Sequence, residues 1–119
     1  MAQHNDLGKL GEQAAVKYLL TNQYEIIETN WRFKKAEIDI IACKNNILCC
    51  VEVKTRTSTI IANPEDSVSA KKRKLLFEAI NQYISINNLD NEIRFDIITV
   101  VLELNTLKIN HIENAFYHF

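Results

Sequence analysis

Four residues carry the chemistry open to this sequence: Glu12, Asp39, Glu52 and Lys54. Asp39 sits in the run Glu37-Ile38-Asp39-Ile40-Ile41, and the other two strand residues in Val51-Glu52-Val53-Lys54-Thr55-Arg56. A carboxylate inside an apolar strand loses its hydration and demands a proton, a partner or a cation. Between the runs lies Asn45-Asn46, a turn signal, because asparagine tolerates the positive φ that tight hairpins need. With these two as the central turn residues, Lys44 faces Ile47. Counting outward, Asp39 faces Glu52 and Glu37 faces Lys54. Directly opposed residues have Cβ atoms roughly 4.5–5.5 Å apart on one sheet face, and residues two apart on a strand share a face. Asp39, Glu52 and Lys54 therefore converge on one patch with Glu37 beside them. Oxygen-only ligands suit Mg²⁺ or Mn²⁺, which keep several waters and share a substrate phosphate. Such an ion stabilises charge at phosphorus and lowers the pKa of bound water. Lys54 would hold the attacking water or neutralise charge building on the phosphate. That is the chemistry of phosphodiester hydrolysis. The same spacing also fits an ordinary cross-strand salt-bridge cluster, and a one-residue slip would send Asp39 and Glu52 to opposite faces.

The elements that must position these residues follow from periodicity. A helix is predicted from about Asp6 to Thr21, capped by Asn5 or Asp6. Leu7, Leu10, Ala14, Ala15, Tyr18 and Leu19 form its apolar arc. Glu12 falls at the edge of that arc, either as a third acidic ligand or as a surface glutamate at the border. Tyr24 to Glu28 reads as a short strand, followed by the basic, aromatic segment Trp31-Arg32-Phe33-Lys34-Lys35. Glu37 to Cys43 alternates and reads as a strand. Ile47 to Lys54 is apolar at almost every position, as expected of a strand covered on both faces. A polar loop with Pro64 leads to a helix from about Ser69 to Asn87, where Leu75, Leu76, Ala79, Ile80, Tyr83 and Ile84 recur at helical spacing. Arg94 to Leu102 and Leu107 to Glu113 are strands joined by a turn at Glu103 to Thr106. The order αβββαββ predicts an α/β fold with a mixed sheet, its helices on opposite faces or both on one.

The chain has 119 residues, the size of a single domain spanning 1–119. It lacks any apolar run of transmembrane length. The polar start Met1-Ala2-Gln3-His4-Asn5-Asp6 lacks signal-peptide character, so a cytoplasmic protein without a membrane partner is expected. Three cysteines with no CxxC pair, Cys43, Cys49 and Cys50, indicate neither a disulfide framework nor a zinc site. The net charge of −1 argues against coating nucleic acid by bulk attraction. Position matters more than the sum. Nine of the fourteen basic residues fall in three stretches: Arg32, Lys34 and Lys35; Lys54 and Arg56; and Lys71, Lys72, Arg73 and Lys74. Brought together, they would make a local basic surface. The last run opens a helix, where cations oppose the dipole, and so reads either as a phosphate-contacting cluster or as a solvated face. Trp31, beside Arg32, reads either as a cover for the edge of the core or as a platform for stacking on bases, and Asp96 as a structural partner for a helix end or loop. His4, His111 and His118 show no ligand spacing.

The Glu37–Ile41 and Val51–Arg56 runs resemble the D…ExK core of the PD-(D/E)xK nuclease superfamily. More closely, the chain resembles the bacterial YraN family, whose members are similar to archaeal Holliday junction resolvases. The likeness covers nearly the whole chain and includes Gly8-Lys9-Leu10-Gly11-Glu12-Gln13-Ala14-Ala15, Asn30-Trp31-Arg32, Arg94-Phe95-Asp96 and Ile112-Glu113-Asn114-Ala115-Phe116. It implies a restriction-endonuclease-like sheet flanked by helices, metal-site acids Glu12, Asp39 and Glu52, a catalytic Lys54, and Arg56 near a phosphate. Two positions depart from the pattern: Ala36 where the family usually has glycine, and Ile60-Ile61 where it often has an aromatic-glycine pair.

The expectation is a metal-dependent endonuclease, or a nuclease-like protein, acting on branched or structured DNA with Mg²⁺ or Mn²⁺. A two-fold homodimer is expected with it, since junction resolvases act as pairs. The alternatives are a non-catalytic DNA-binding module and a protein-interaction scaffold retaining the fold.

Overall fold

The computed structural model describes the backbone of residues 2–57 and 68–116, with side chains from Asp6 onward. The loop at Pro64, the Ile60-Ile61 pair and His118 lie outside the described residues, as does the His4 side chain. The element order is α1 (Ala2–Thr21), β1 (Glu25–Phe33), β2 (Ala36–Lys44), β3 (Ile47–Arg56), α2 (Ala70–Ile86), β4 (Glu92–Glu103) and β5 (Thr106–Ile112). One five-stranded sheet runs β1-β2-β3-β4-β5. Its pairs are antiparallel except β3 with β4. That parallel step requires a long crossover, and α2 lies within it.

The expected αβββαββ order is the observed one, and of the two helix placements the structure takes opposite faces. Ala15 and Leu19 of α1 pack with Ile40, Ala42, Cys49, Val51, Ile98 and Val100 on one face. On the other, Leu76, Ala79, Ile80 and Tyr83 of α2 pack with Ile38, Ile41, Leu48, Cys50, Phe95 and Ile97. A sheet covered on both sides explains the nearly continuous apolar character of β3. The cysteines behave as small hydrophobes. Cys49 and Cys50 are buried, and burial pushes the Cys49 thiol up to about 12.

Three features differ from the sequence reading. First, α1 begins at Ala2 rather than Asp6, so Asn5 and Asp6 lie within the helix and do not cap it. Its inner line is also narrower than the apolar arc, since Leu10 is exposed. Second, β1 continues through Phe33, with Trp31 opposite Ile38 and Phe33 opposite Ala36. The alternation Trp31, Arg32, Phe33 was a strand pattern despite its charge: Trp31 and Phe33 pack inward and Arg32 points out. Trp31 is thus a core residue, edge-on to Tyr83 at 5.2 Å. Third, the turn after β1 places its positive φ, 56°, on Lys34, so Ala36 needs no glycine.

The tight turns follow asparagine. Asn45 and Asn46 have φ of 53° and 64°, the type I′ pattern expected of this hairpin. Asn30 is a different case. It has φ 53° inside β1, between Thr29 opposite Ile40 and Trp31 opposite Ile38. Ile38 packs under α2 while Ile40 packs under α1, so the two-residue alternation of β2 breaks at Asp39. The hairpin swivels at Asn30 and Asp39 together.

Candidate functional site

The Asn-Asn turn sets the β2–β3 register as counted from sequence, with Lys44 opposite Ile47 and Ile40 opposite Val51. There the ladder stops. β3 continues beside β4 as far as Arg56 opposite Val101, while β2 turns away at Asp39. The inner edge of β3 beyond Val51 is therefore left without its antiparallel partner. The Val53 N–H is donated instead to Asp39 Oδ2, at 2.8 Å. A donor released from a ladder must find an acceptor when buried, and Asp39 is placed to be that acceptor. The expected Asp39–Glu52 and Glu37–Lys54 oppositions are both lost with the ladder. Glu37 instead pairs with the exposed Arg32 at 3.4 Å.

Glu52 is on the α2 side of β3 and is only 5% exposed. Lys72 of α2 donates to its Oε2, and Lys54 Nζ stands 3.4 Å from the same oxygen. Ser69 caps α2 by accepting the Lys72 N–H on its Oγ at 3.1 Å, which fixes the turn from which Lys72 reaches inward.

Glu12 arrives from the opposite helix. α1 lies close on β3 because Gly11 has no side chain: a Cβ there would stand 1.9 Å from Thr55 Oγ1. The Glu12 carboxylate then accepts from Asn30 Nδ2 at 3.1 Å, so the residue at the swivel of β1 also orients the helix acid. Gly8, Glu12, Asp39, Glu52, Thr55 and Arg56 line one cleft of about 290 Å³. Burial, then the neighbouring Glu52 carboxylate, raises the Asp39 carboxyl to about 7, against the opposing pull of the Val53 N–H. Among the described residues, no three acidic, histidine or cysteine side chains stand close enough to form a metal cage. The donor set in the cleft is all oxygen, which fits a hard divalent cation held by one or two carboxylates and water.

The basic stretches divide. Lys35 and Lys71 are exposed and, with Lys72, line a second hollow of about 270 Å³ beside the start of α2. Lys74 is exposed. Arg73 is turned aside: its Nε donates to the Val68 carbonyl at 2.8 Å and its guanidinium lies 5.0 Å over the Phe116 ring. Lys34 lies over Phe33 at 5.3 Å. Arg56, at the mouth of the acidic cleft, donates to the Thr55 carbonyl at 2.8 Å.

A second polar centre lies away from this cleft. Asp96 is fully buried in β4, yet accepts from Arg94 through both oxygens at 2.9 Å and from the Asn114 N–H at 3.0 Å. His111 Nε2 lies 2.7 Å from Asp96, and its Nδ1 lies 3.1 Å from the Tyr18 hydroxyl. Burial alone would push Asp96 up. The hydrogen bonds from His111, Arg94 and Asn114 outweigh it and hold the carboxyl below its usual range. Asp96 is therefore the structural anchor expected of it. Histidine spacing gave no hint of the place of His111, because its partners come from α1 and β4.

Comparison with known proteins adds a family. The model of the uncharacterised protein family UPF0102 matches residues 11–100. A UPF0102 protein of Flavobacterium psychrophilum is 57% identical over 119 residues, covering 100% of both chains. Another, of Christiangramia forsetii, is 48% identical over 119 residues with the same coverage. A third, of Bacteroides thetaiotaomicron, is 48% identical over 117 residues, 98% of this chain and 97% of its own.

Proposed function

The chain belongs to the uncharacterised protein family UPF0102, and within it we propose that this protein is a Mg²⁺- or Mn²⁺-dependent nuclease acting on branched or structured DNA. One observation carries the reading: Glu12 from α1, Asp39 from β2 and Glu52 from β3 line a single cleft, with Lys54 against Glu52. That set has the composition of the D…ExK pattern, and the cleft opens where the sheet itself parts. Asp39 and Glu52 would hold the metal, and Glu12 would orient a water on it from the other side. The bound ion supplies charge stabilisation at the phosphorus and a water of lowered pKa. Lys54, 18% exposed, neutralises charge on the transferring phosphoryl group. Arg56 sits at the cleft mouth, where a flanking phosphate would pass. Lys35, Lys71 and Lys74 offer cations to the DNA backbone further out.

A non-catalytic DNA-binding module is the second reading. It is favoured by the engagement of Glu52 with both Lys72 and Lys54. The two readings separate on a panel of labelled linear, flapped and four-way-junction DNAs incubated with Mn²⁺. The nuclease reading expects nicking of at least one branched form and its loss in Asp39→Ala. Binding without nicking, unchanged in Asp39→Ala, supports the module. Nicking that persists in Asp39→Ala rules out this cleft. Among the described residues no helix is long and apolar enough to cross a membrane. Action as a homodimer is part of the proposal, because two cuts on a branched substrate need two clefts.

A further inference from the structure

We infer that Lys72 is the acidic cleft's built-in counter-cation: it neutralises Glu52 in the metal-free protein and must be displaced for a divalent ion to enter. The inference rests on the metal-site reading and adds a regulating residue to it. Glu52 is buried to 5% exposure, and a carboxylate at that depth is costly without a compensating charge. Two ammonium groups share its Oε2, Lys54 at 3.4 Å and Lys72 closer still. Lys54 comes from the same strand two residues on, so its position is tied to that of Glu52. Lys72 comes from α2, and its side chain is 41% exposed. It is thus the more easily withdrawn of the two.

An ion on Glu52 and an ammonium on the same oxygen exclude each other by charge and by space. Their binding is coupled, and each weakens the other by the same factor. The lysine stem carries its charge on four rotatable carbons. Lys72 also lines the adjoining hollow with Lys35, Lys71 and Glu37, so the displaced ammonium has somewhere to go. The hollow's three lysines outnumber its one carboxylate, and a DNA phosphate arriving there would draw Lys72 off Glu52. Substrate and metal would then favour each other's binding through one side chain.

The test uses the whole protein without DNA. Mn²⁺ affinity is measured by calorimetry or electron paramagnetic resonance for wild type, Lys72→Met and Lys72→Arg. Lys72→Met is expected to bind Mn²⁺ more tightly by about fivefold or more, the lower range of coupling between ligands of one site. Lys72→Arg, which keeps the charge, returns toward wild type. Equal or weaker binding in Lys72→Met overturns the inference while leaving the metal site standing. Binding by none of the three overturns both. Melting in EDTA gives an independent readout. Lys72→Met melts below wild type, and the difference vanishes on a Glu52→Gln background. A difference that persists there overturns the pairing. Lys72→Gln is the second variant should Lys72→Met not fold.

Discussion

Asp39 Oδ2 accepts the Val53 N–H at 2.8 Å, one residue past the last paired position of β2 and β3. The bond closes the open end of a ladder, and it aims a half-buried carboxylate at the cleft formed where the strands part. The swivel that opens the sheet is thus also what places the acid. Asn30, at φ 53° on the neighbouring strand, does the same for Glu12 through its side-chain amide.

The raised Asp39 carboxyl makes stability depend on pH with a definite sign. Its value of about 7 in the folded chain lies above the ordinary carboxyl value of roughly 3.9. Between these limits the folded state holds the proton that the unfolded state has lost. This group's contribution is therefore full below about pH 4 and declines as pH rises toward 7. Asp39→Asn, which cannot ionise, removes that decline. Melting temperatures of the two proteins compared across this range in EDTA should diverge upward in pH, with the variant ahead at pH 8.

Gly11 should not tolerate a methyl group. The Cβ of Gly11→Ala would meet Thr55 Oγ1 at 1.9 Å and Thr55 Cβ at 2.8 Å, so α1 must lift from β3. Overpacking of this kind costs typically about 1–3 kcal/mol, read as a shift of the urea midpoint. Thr55→Ala on that background takes away two of the three close atoms and should recover part of the loss. Gly8→Ala, with nothing within 4 Å, should fold like wild type.

Asp96 predicts the acid limit of the fold. Its carboxyl is held below the usual range by its hydrogen bonds, so its contribution is present above the ordinary carboxyl pKa and is lost as pH falls through the folded value. Arg94→Met leaves a fully buried carboxylate short of a charged partner. Breaking a buried pair in this way costs about 3–5 kcal/mol, which chemical denaturation would register directly. Asp96→Asn in the Arg94→Met background should restore much of it.

The basic run on α2 should split by position. Lys71→Ala and Lys74→Ala remove exposed cations, and each should flatten the dependence of log K on log salt by about 0.9 if it contacts a phosphate. Arg73→Ala should instead lower the melting temperature, because its guanidinium serves Val68 and Phe116. Fluorescence anisotropy with a junction DNA over a salt series, beside thermal melts, tells the two classes apart.

Much of this site was legible from residue order. Asn45-Asn46 fixed a hairpin register that holds from Lys44–Ile47 to Ile40–Val51, and Asp39 and Glu52, just beyond its end, line one cleft. Counting outward assumes a continuous ladder, however, and the ladder breaks at Asp39. The direct Asp39–Glu52 and Glu37–Lys54 oppositions failed for that reason. Lys72 read as one cation of a phosphate-contacting or solvated run, because nothing local tells which lysine of a helix turn points at a buried acid on another element. Asn30 and His111 were illegible for the same cause: Glu12, Tyr18 and Asp96 meet them only across the packed layers. The one local signal was asparagine at Asn30, a residue tolerant of the left-handed backbone that a swivel inside a strand requires.

If this cleft is a divalent-metal site, Mn²⁺ binds between its carboxylates. Anomalous diffraction from crystals soaked in Mn²⁺ tests it most directly. A peak between the Asp39 and Glu52 carboxylates, at metal–oxygen distances of about 2.1 Å and with the Lys72 ammonium withdrawn from Glu52, is the predicted result. A cleft without a peak at saturating Mn²⁺, with Lys72 still on Glu52, would contradict it.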